Sequence, residues 1–148
     1  MKTHHQAWTY PAVFDRIGDD EIVVSFPDFP EALTGAETLV EAQTLAIDAL
    51  EEIVLAYLAE GRAVPTPHAA KAGQADVPLD PLTAARAALA QAMRETAMTN
   101  AALARRMDRS EGAIRRLTNG ATGVKIDTVL DALAALGRRA TLTVAPVT

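Results

Sequence analysis

The chain has no cysteine among its 148 residues. That excludes disulfide staples, thiolate metal sites and a cysteine nucleophile. The three histidines, His4 and His5 near the start and His68 much later, fit no metal-ligand spacing, so neither a metal nor another cofactor is expected. Long apolar runs are missing too. No stretch approaches the ~20 apolar residues needed to span a bilayer, and the opening "MKTHHQAWTY" lacks the apolar run of a signal peptide. The expectation is a cytoplasmic protein with no membrane partner. No glycine-rich loop follows a strand into a helix, and no Ser-His-Asp arrangement is legible, so nucleotide binding and triad chemistry have no support. Aromatic residues are few, and all six fall at or before Tyr57.

What the chain does have is a hydrophobic content of 49%, enough for a packed core in one ordinary domain or two small ones. Its formal net charge of −5 hides a division. Residues 1–78 carry 4 Lys/Arg against 13 Asp/Glu, net −9, whereas residues 79–148 carry 10 against 6, net +4. Such asymmetry points to two domains with different partners, and to nucleic acid for the basic one.

The first segment reads as two strands, Trp8 to Ile17 and Glu21 to Phe26, joined by the turn "GDD". Ile22, Val24 and Phe26 alternate with Val23 and Ser25, so one face should pack against a helix. That helix begins at a capping-box pattern, Thr38 with Glu41, and carries Leu39, Ala42, Ala46, Leu50, Ile53 and Tyr57 until Gly61. Its acids, Glu41, Asp48, Glu51, Glu52 and Glu60, lie off that stripe and read as a solvated face. Residues 62–78, with three prolines and a fourth following at Pro81, read as a linker holding one short strand. Asp80 and Pro81 then open a helix through Thr96, with Leu82, Ala85, Leu89 and Met93 on one face. Further helices are expected near 99–107, 110–119 and 126–136, followed by a terminal strand, "RATLTV". The fold class is therefore α+β: a β-hairpin or sheet with a helix over residues 1–78, then an all-α unit over 79–148.

In "NAALARRMDRSEGAIRRLTNG" the apolar residues fall where two short, steeply crossing helices would bury them. Ala104 permits close approach, Asp108 stands at the turn, Ser110 can cap the second helix, and Ile114 and Leu117 anchor it. Arg115 and Arg116 then point outward with Glu111, Gly112 and Asn119. This is a helix-turn-helix pattern, and Asn100, Ser110, Glu111, Gly112, Arg115, Arg116 and Asn119 are its candidate DNA-binding residues. An arginine fork can read guanine O6 and N7 or clamp a phosphate. The turn position usually holds glycine and here holds Asp108; the next usually holds an apolar residue and here holds Arg109.

Taken together, these residues resemble the HicB-like antitoxins of bacterial toxin–antitoxin pairs, in the version with a C-terminal Xre-like helix-turn-helix. In the first half the resemblance rests on "YPAVFDR" at 10–16, "VVSFPDFPEALTGAET" at 23–38 and "YLAEGRAVPTP" at 57–67. In the second it rests on "NAALARRMDRSEGAIRRL" at 100–117 and "LDALAALGRRATLTV" at 130–144. Glu31 and Ala32 stand where the commoner pattern has glycine and cysteine. The resemblance implies a first domain like part of a ribonuclease H fold that masks a small RNA-cleaving HicA-type toxin. It implies a second domain that binds operator DNA and represses the pair's own genes.

An RNA-cleaving toxin should present a basic surface, so the acids of the first domain are its natural counterpart. The candidates are Asp15, Asp19, Asp20, Glu21 and Asp28, with Phe29 beside them. A palindromic operator needs at least a dimer, with half-sites ~34–36 Å apart. The terminal "ATLTV", with Leu142 and Val144, is the candidate dimerisation strand. Two other readings follow. A ribonuclease H-like fold could gather Asp15, Asp28 and Asp48 around metal ions, but each lies where a turn or solvated helix would hold an acid anyway, so no enzyme is expected. A stand-alone transcription regulator with a ligand-sensing first domain is the alternative function, and it would lack a neighbouring gene for a small basic protein.

Overall fold

In the computed structural model, which describes residues 5–146, the alternation at Ile22, Val24 and Phe26 forms strand β2 (Ile22–Phe26) with all three side chains buried. β2 lies between β1 (Thr9–Arg16) and β3 (Phe29–Ala36), and β4 (Ala75–Pro78) pairs with the other edge of β1. All pairings are antiparallel, in the order β3-β2-β1-β4. Arg16 stands opposite Ile22, and Ile22 opposite Ala36. The end of β1, the start of β2 and the end of β3 therefore share one end of the sheet.

A two-stranded hairpin omits β3, and the difference has a physical reason. "FPEALTGA" contains proline, glycine and glutamate, all poor strand formers. It is an edge strand, however, where proline is tolerated, and burial of Phe29, Ala32 and Ala36 compensates. Phe29 thus opens a strand instead of lying in a loop. β4 falls inside residues 62–78, at the place of the one short strand expected there, and it completes the sheet.

Helix α1 (Leu39–Ala59) starts where Thr38 Oγ1 accepts a hydrogen bond from the Glu41 N–H at 3.2 Å. It stops at Gly61, which takes φ +69° while the Arg62 N–H donates to the Tyr57 carbonyl. Its buried stripe steps by four through Ala42, Ala46, Leu50, Val54 and Leu58, with Tyr57 beside it. Val54 takes the place expected for Ile53, and Leu39, in the first turn, stays 50% exposed. On β1, Tyr10 is fully buried; its hydroxyl donates to the Pro65 carbonyl at 2.6 Å and its ring meets Phe29 edge-on at 5.0 Å. Burial first, and then the charge of Asp28, push the phenol pKa above its usual range.

The chain divides into two compact units, residues 1–56 with 64–80 and residues 57–63 with 81–148. The second contains α2 (Pro81–Glu95), α3 (Asn100–Met107), α4 (Glu111–Thr118) and α5 (Ile126–Ala135). Leu89, Leu103, Ile114, Leu117, Val129 and Leu133 form the centre of its core. Residues 138–146 carry no strand within the chain, contrary to the expected "RATLTV" strand, and Leu142 and Val144 are 72% and 88% exposed. A strand needs a partner's backbone, and the single chain offers this segment none.

Candidate functional site

The turn between α3 and α4 is built by three residues. Asp108 caps α3 in the left-handed region at φ 54°, and the Arg109 N–H donates to the Ala104 carbonyl. Ser110 then caps α4, its Oγ accepting from the Ala113 N–H at 3.1 Å. With Ile114 fully buried and Leu117 nearly so, Ser110, Glu111, Gly112, Arg115 and Arg116 are exposed, while Asn119 is half-buried. Asn100 opens α3 half-buried; the cap there is Thr99, which accepts from Ala102.

Both arginines of α4 already have partners. Arg115 meets Glu111 one turn earlier at 2.7 Å, an exposed pair that ordinarily contributes only a few tenths of a kcal/mol. Arg116 donates to the Thr122 carbonyl at 2.7 Å, which ties the segment after α4 to the helix. Asn119 Oδ1 accepts from the Ala121 N–H, shaping the same segment. Gly112 has ordinary helical backbone and open space where a Cβ would stand, so nothing in the isolated chain demands glycine there.

One residue that sequence reasoning missed holds α4 in place. Arg86, on α2, is 4% exposed; its Nε donates to the Leu117 carbonyl at 2.9 Å and its NH2 group to the Arg116 carbonyl at 3.1 Å. It thereby satisfies carbonyls at the end of α4 that the helix leaves without partners. Burial, and then the Arg116 charge, lower its pKa from the usual arginine value. The signal was an arginine inside the small apolar run "TAARAALA".

In the first unit the structure separates the six candidate contact residues. Asp15, Asp19, Asp20 and Glu21 are exposed and collect at the end of β1 and in the connection to β2. Asp28 lies at the opposite end of β2, where its Oδ2 meets His68 Nε2 at 2.8 Å. Phe29 must be withdrawn as a contact residue: it is fully buried against Tyr10, because the strand it opens turns its ring into the core. His68 has a structural partner in Asp28, and His4 lies outside the described residues. Asp15, Asp28 and Asp48 sit on a strand end, a turn and a helix face; among the described residues no three His, Cys, Asp or Glu side chains gather as metal ligands.

The same end of the sheet holds features that a search for charge overlooked. Ile17, Leu39 and Val40 are 52%, 50% and 75% exposed, in the β1–β2 connection and the first turn of α1. Glu37 and Glu41 join the four acids there. Exposed apolar side chains in segments that also carry acids have the composition of a protein-contact surface. Leu39-Val40 next to a helix cap was the available signal.

A profile of the family described as the HicB_like antitoxin of bacterial toxin-antitoxin system matches residues 9–88. Antitoxin HicB 2 of Photorhabdus laumondii is 39% identical over 131 residues, covering 87% of this chain and 91% of that protein. Antitoxin HicB of Escherichia coli is 32% identical over 133 residues, covering 90% and 96% respectively. Among the described residues no helix is long and apolar enough to cross a membrane.

Proposed function

The chain belongs to the HicB-like antitoxin family, and from that premise we propose that it is a two-part antitoxin. The first unit masks a small, basic, RNA-cleaving toxin of the HicA type; the second binds operator DNA as a helix-turn-helix of the Xre kind and represses the pair's own genes. The observation that carries this reading is the distribution of charge over the two units. Residues 1–56 with 64–80 hold 3 Lys/Arg against 13 Asp/Glu, net −10, and residues 57–63 with 81–148 hold 11 against 6, net +5. Opposite fields favour opposite partners and speed their capture.

Toxin contact falls to the segments at the end of β1, in its connection to β2 and at the start of α1, which carry Asp15, Asp19, Asp20 and Glu21 with Ile17, Leu39 and Val40. DNA contact falls to Asn100, Ser110, Glu111, Gly112, Arg115, Arg116 and Asn119. α4 presents its outer face, with an N-terminus whose N–H groups favour a phosphate. Leu142 and Val144 pair two copies. The chain acts by binding, as no enzyme, in the cytoplasm.

The test is co-purification of the full chain with the product of any adjacent gene that encodes a small basic protein, followed by an RNA-cleavage assay. A stable complex that no longer cleaves RNA is expected, and cleavage unaffected by excess antitoxin refutes the reading. For DNA, the Arg115→Ala/Arg116→Ala double variant should lose ~1–3 kcal/mol of operator affinity per base-reading arginine. Unaltered binding would remove α4 from the interface.

A further inference from the structure

Beside α4 lies a groove of about 290 Å3, bordered by Leu58, Arg62, Met93, Arg94, Arg115 and Asn119. All six belong to the second unit, which includes residues 57–63 at the end of α1. We propose that this groove seats the phosphodiester backbone of bound DNA, so that Arg62 and Arg94 extend the contact surface beyond α3 and α4. The proposal rests on the reading of α4 as the DNA-contacting helix and adds two residues that lie outside the helix-turn-helix stretch of residues 100–120.

Three guanidinium groups border one groove, and each is placed by a different element. Arg62 follows the turn that closes α1, and its guanidinium carbon lies 3.8 Å from the centroid of the Tyr57 ring, a stacking that orients the fork. Arg94, near the end of α2, donates to the Gly61 carbonyl at 3.0 Å and so fixes the Arg62 turn to α2. Arg115 enters from α4. The acids near them, Glu60 at 3.4 Å from Arg62 and Glu111 at 2.7 Å from Arg115, form exposed pairs. Such pairs hold weakly, and a phosphate, which accepts charge-assisted hydrogen bonds from arginine in a two-pronged geometry, competes with them well. The apolar floor of Leu58 and Met93 offers nothing to a base edge, which favours the sugar–phosphate strand over base reading. A helix in a major groove has a phosphate strand along each side, and the groove borders the outer side of α4 through Arg115 and Asn119.

The experiment measures binding of the full-length protein to two labelled 30-base-pair duplexes, one from immediately upstream of its own gene and one of shuffled sequence, between 50 and 200 mM KCl. Each lost phosphate contact reduces the slope of log affinity against log salt by about 0.9, so over this range the unaltered protein should lose about 3.5-fold more affinity than Arg62→Gln. Arg62→Gln and Arg94→Gln should weaken both duplexes by the same factor, and Arg62→Lys should restore the slope because a point charge suffices for a phosphate. Thermal melts of Arg62→Gln and Arg62→Lys confirm that the fold is kept. Unchanged affinity and slope in both glutamine variants, with Arg116→Ala still impaired, would overturn the groove while leaving α4 in the interface. Loss confined to the upstream duplex would also overturn it. Failure of the unaltered chain to bind either duplex would overturn both readings.

Discussion

Among the described residues, two besides glycine take positive φ, Ala97 and Asp108, and they are not equivalent. Asp tolerates the left-handed region because its short polar side chain can bond locally, whereas alanine has no such compensation. Ala97 follows α2, in a turn where its N–H donates to the Arg94 carbonyl and the Met98 N–H to the Met93 carbonyl, the ending that glycine normally supplies. Left-handed alanine costs ~1–2 kcal/mol, and glycine gives back part of that through the freer unfolded chain. Ala97→Gly should therefore raise stability by about 0.5–1 kcal/mol, read as a higher denaturant midpoint; a lower midpoint would contradict the strain. Gly112 poses the opposite case. Its backbone is ordinary and its Cβ space open, so Gly112→Ala should stabilise α4 by about 0.5–1 kcal/mol. If DNA approaches this face, the same variant should bind operator several-fold more weakly. A more stable variant with unaltered DNA affinity would remove Gly112 from the contact.

Among the elements, α4 depends on a neighbour as much as on itself. Eight residues make an isolated helix marginal, and the Arg86 fork supplies what its own end lacks. Arg86→Met should leave two carbonyls in a buried setting without donors and cost about 2–4 kcal/mol. Arg86→Lys should lie between, since a single ammonium cannot reproduce the two-pronged fork. Equal stability of all three forms in chemical denaturation would make the two hydrogen bonds incidental. Arg86 also marks the limit of what sequence reveals. Capping residues, spacing and glycine stops locate α2 to α5 to within a residue or two, because local chemistry sets those boundaries. β3 escapes because its formation depends on pairing with β2 and on burial of Phe29, which no local preference encodes. For the same reason the pairs of Asp28 with His68 and of Arg86 with the end of α4, at separations of 40 and of 30 to 31 residues, were invisible. Outward placement of Arg115 and Arg116 was legible, since it follows directly from two anchors and the helical period.

For the whole molecule, the tail after α5 bears on copy number. Leu142 and Val144 alternate with threonine, the pattern of a strand with one apolar face, yet both are exposed and, among the described residues, the segment joins no strand. Ile126 and Leu130, four apart on α5, are also partly exposed. Leu130 and Ala134 line a further groove with Gly137, Arg138 and Arg139, at the root of the tail. Two copies related by a two-fold axis could pair their tails as antiparallel strands, satisfying the edge and covering the apolar side chains in one step. A palindromic operator requires two such copies. Full-length protein should then sediment as a dimer or a higher even oligomer. Removal of residues 140–148, of which 147 and 148 lie outside the described residues, should give a monomer with intact α-helical content and much weaker operator binding. Replacement of Leu142 and Val144 by lysine should do the same without shortening the chain, because charge on an edge strand blocks pairing. An unchanged sedimentation coefficient in both variants would move the dimer contact elsewhere.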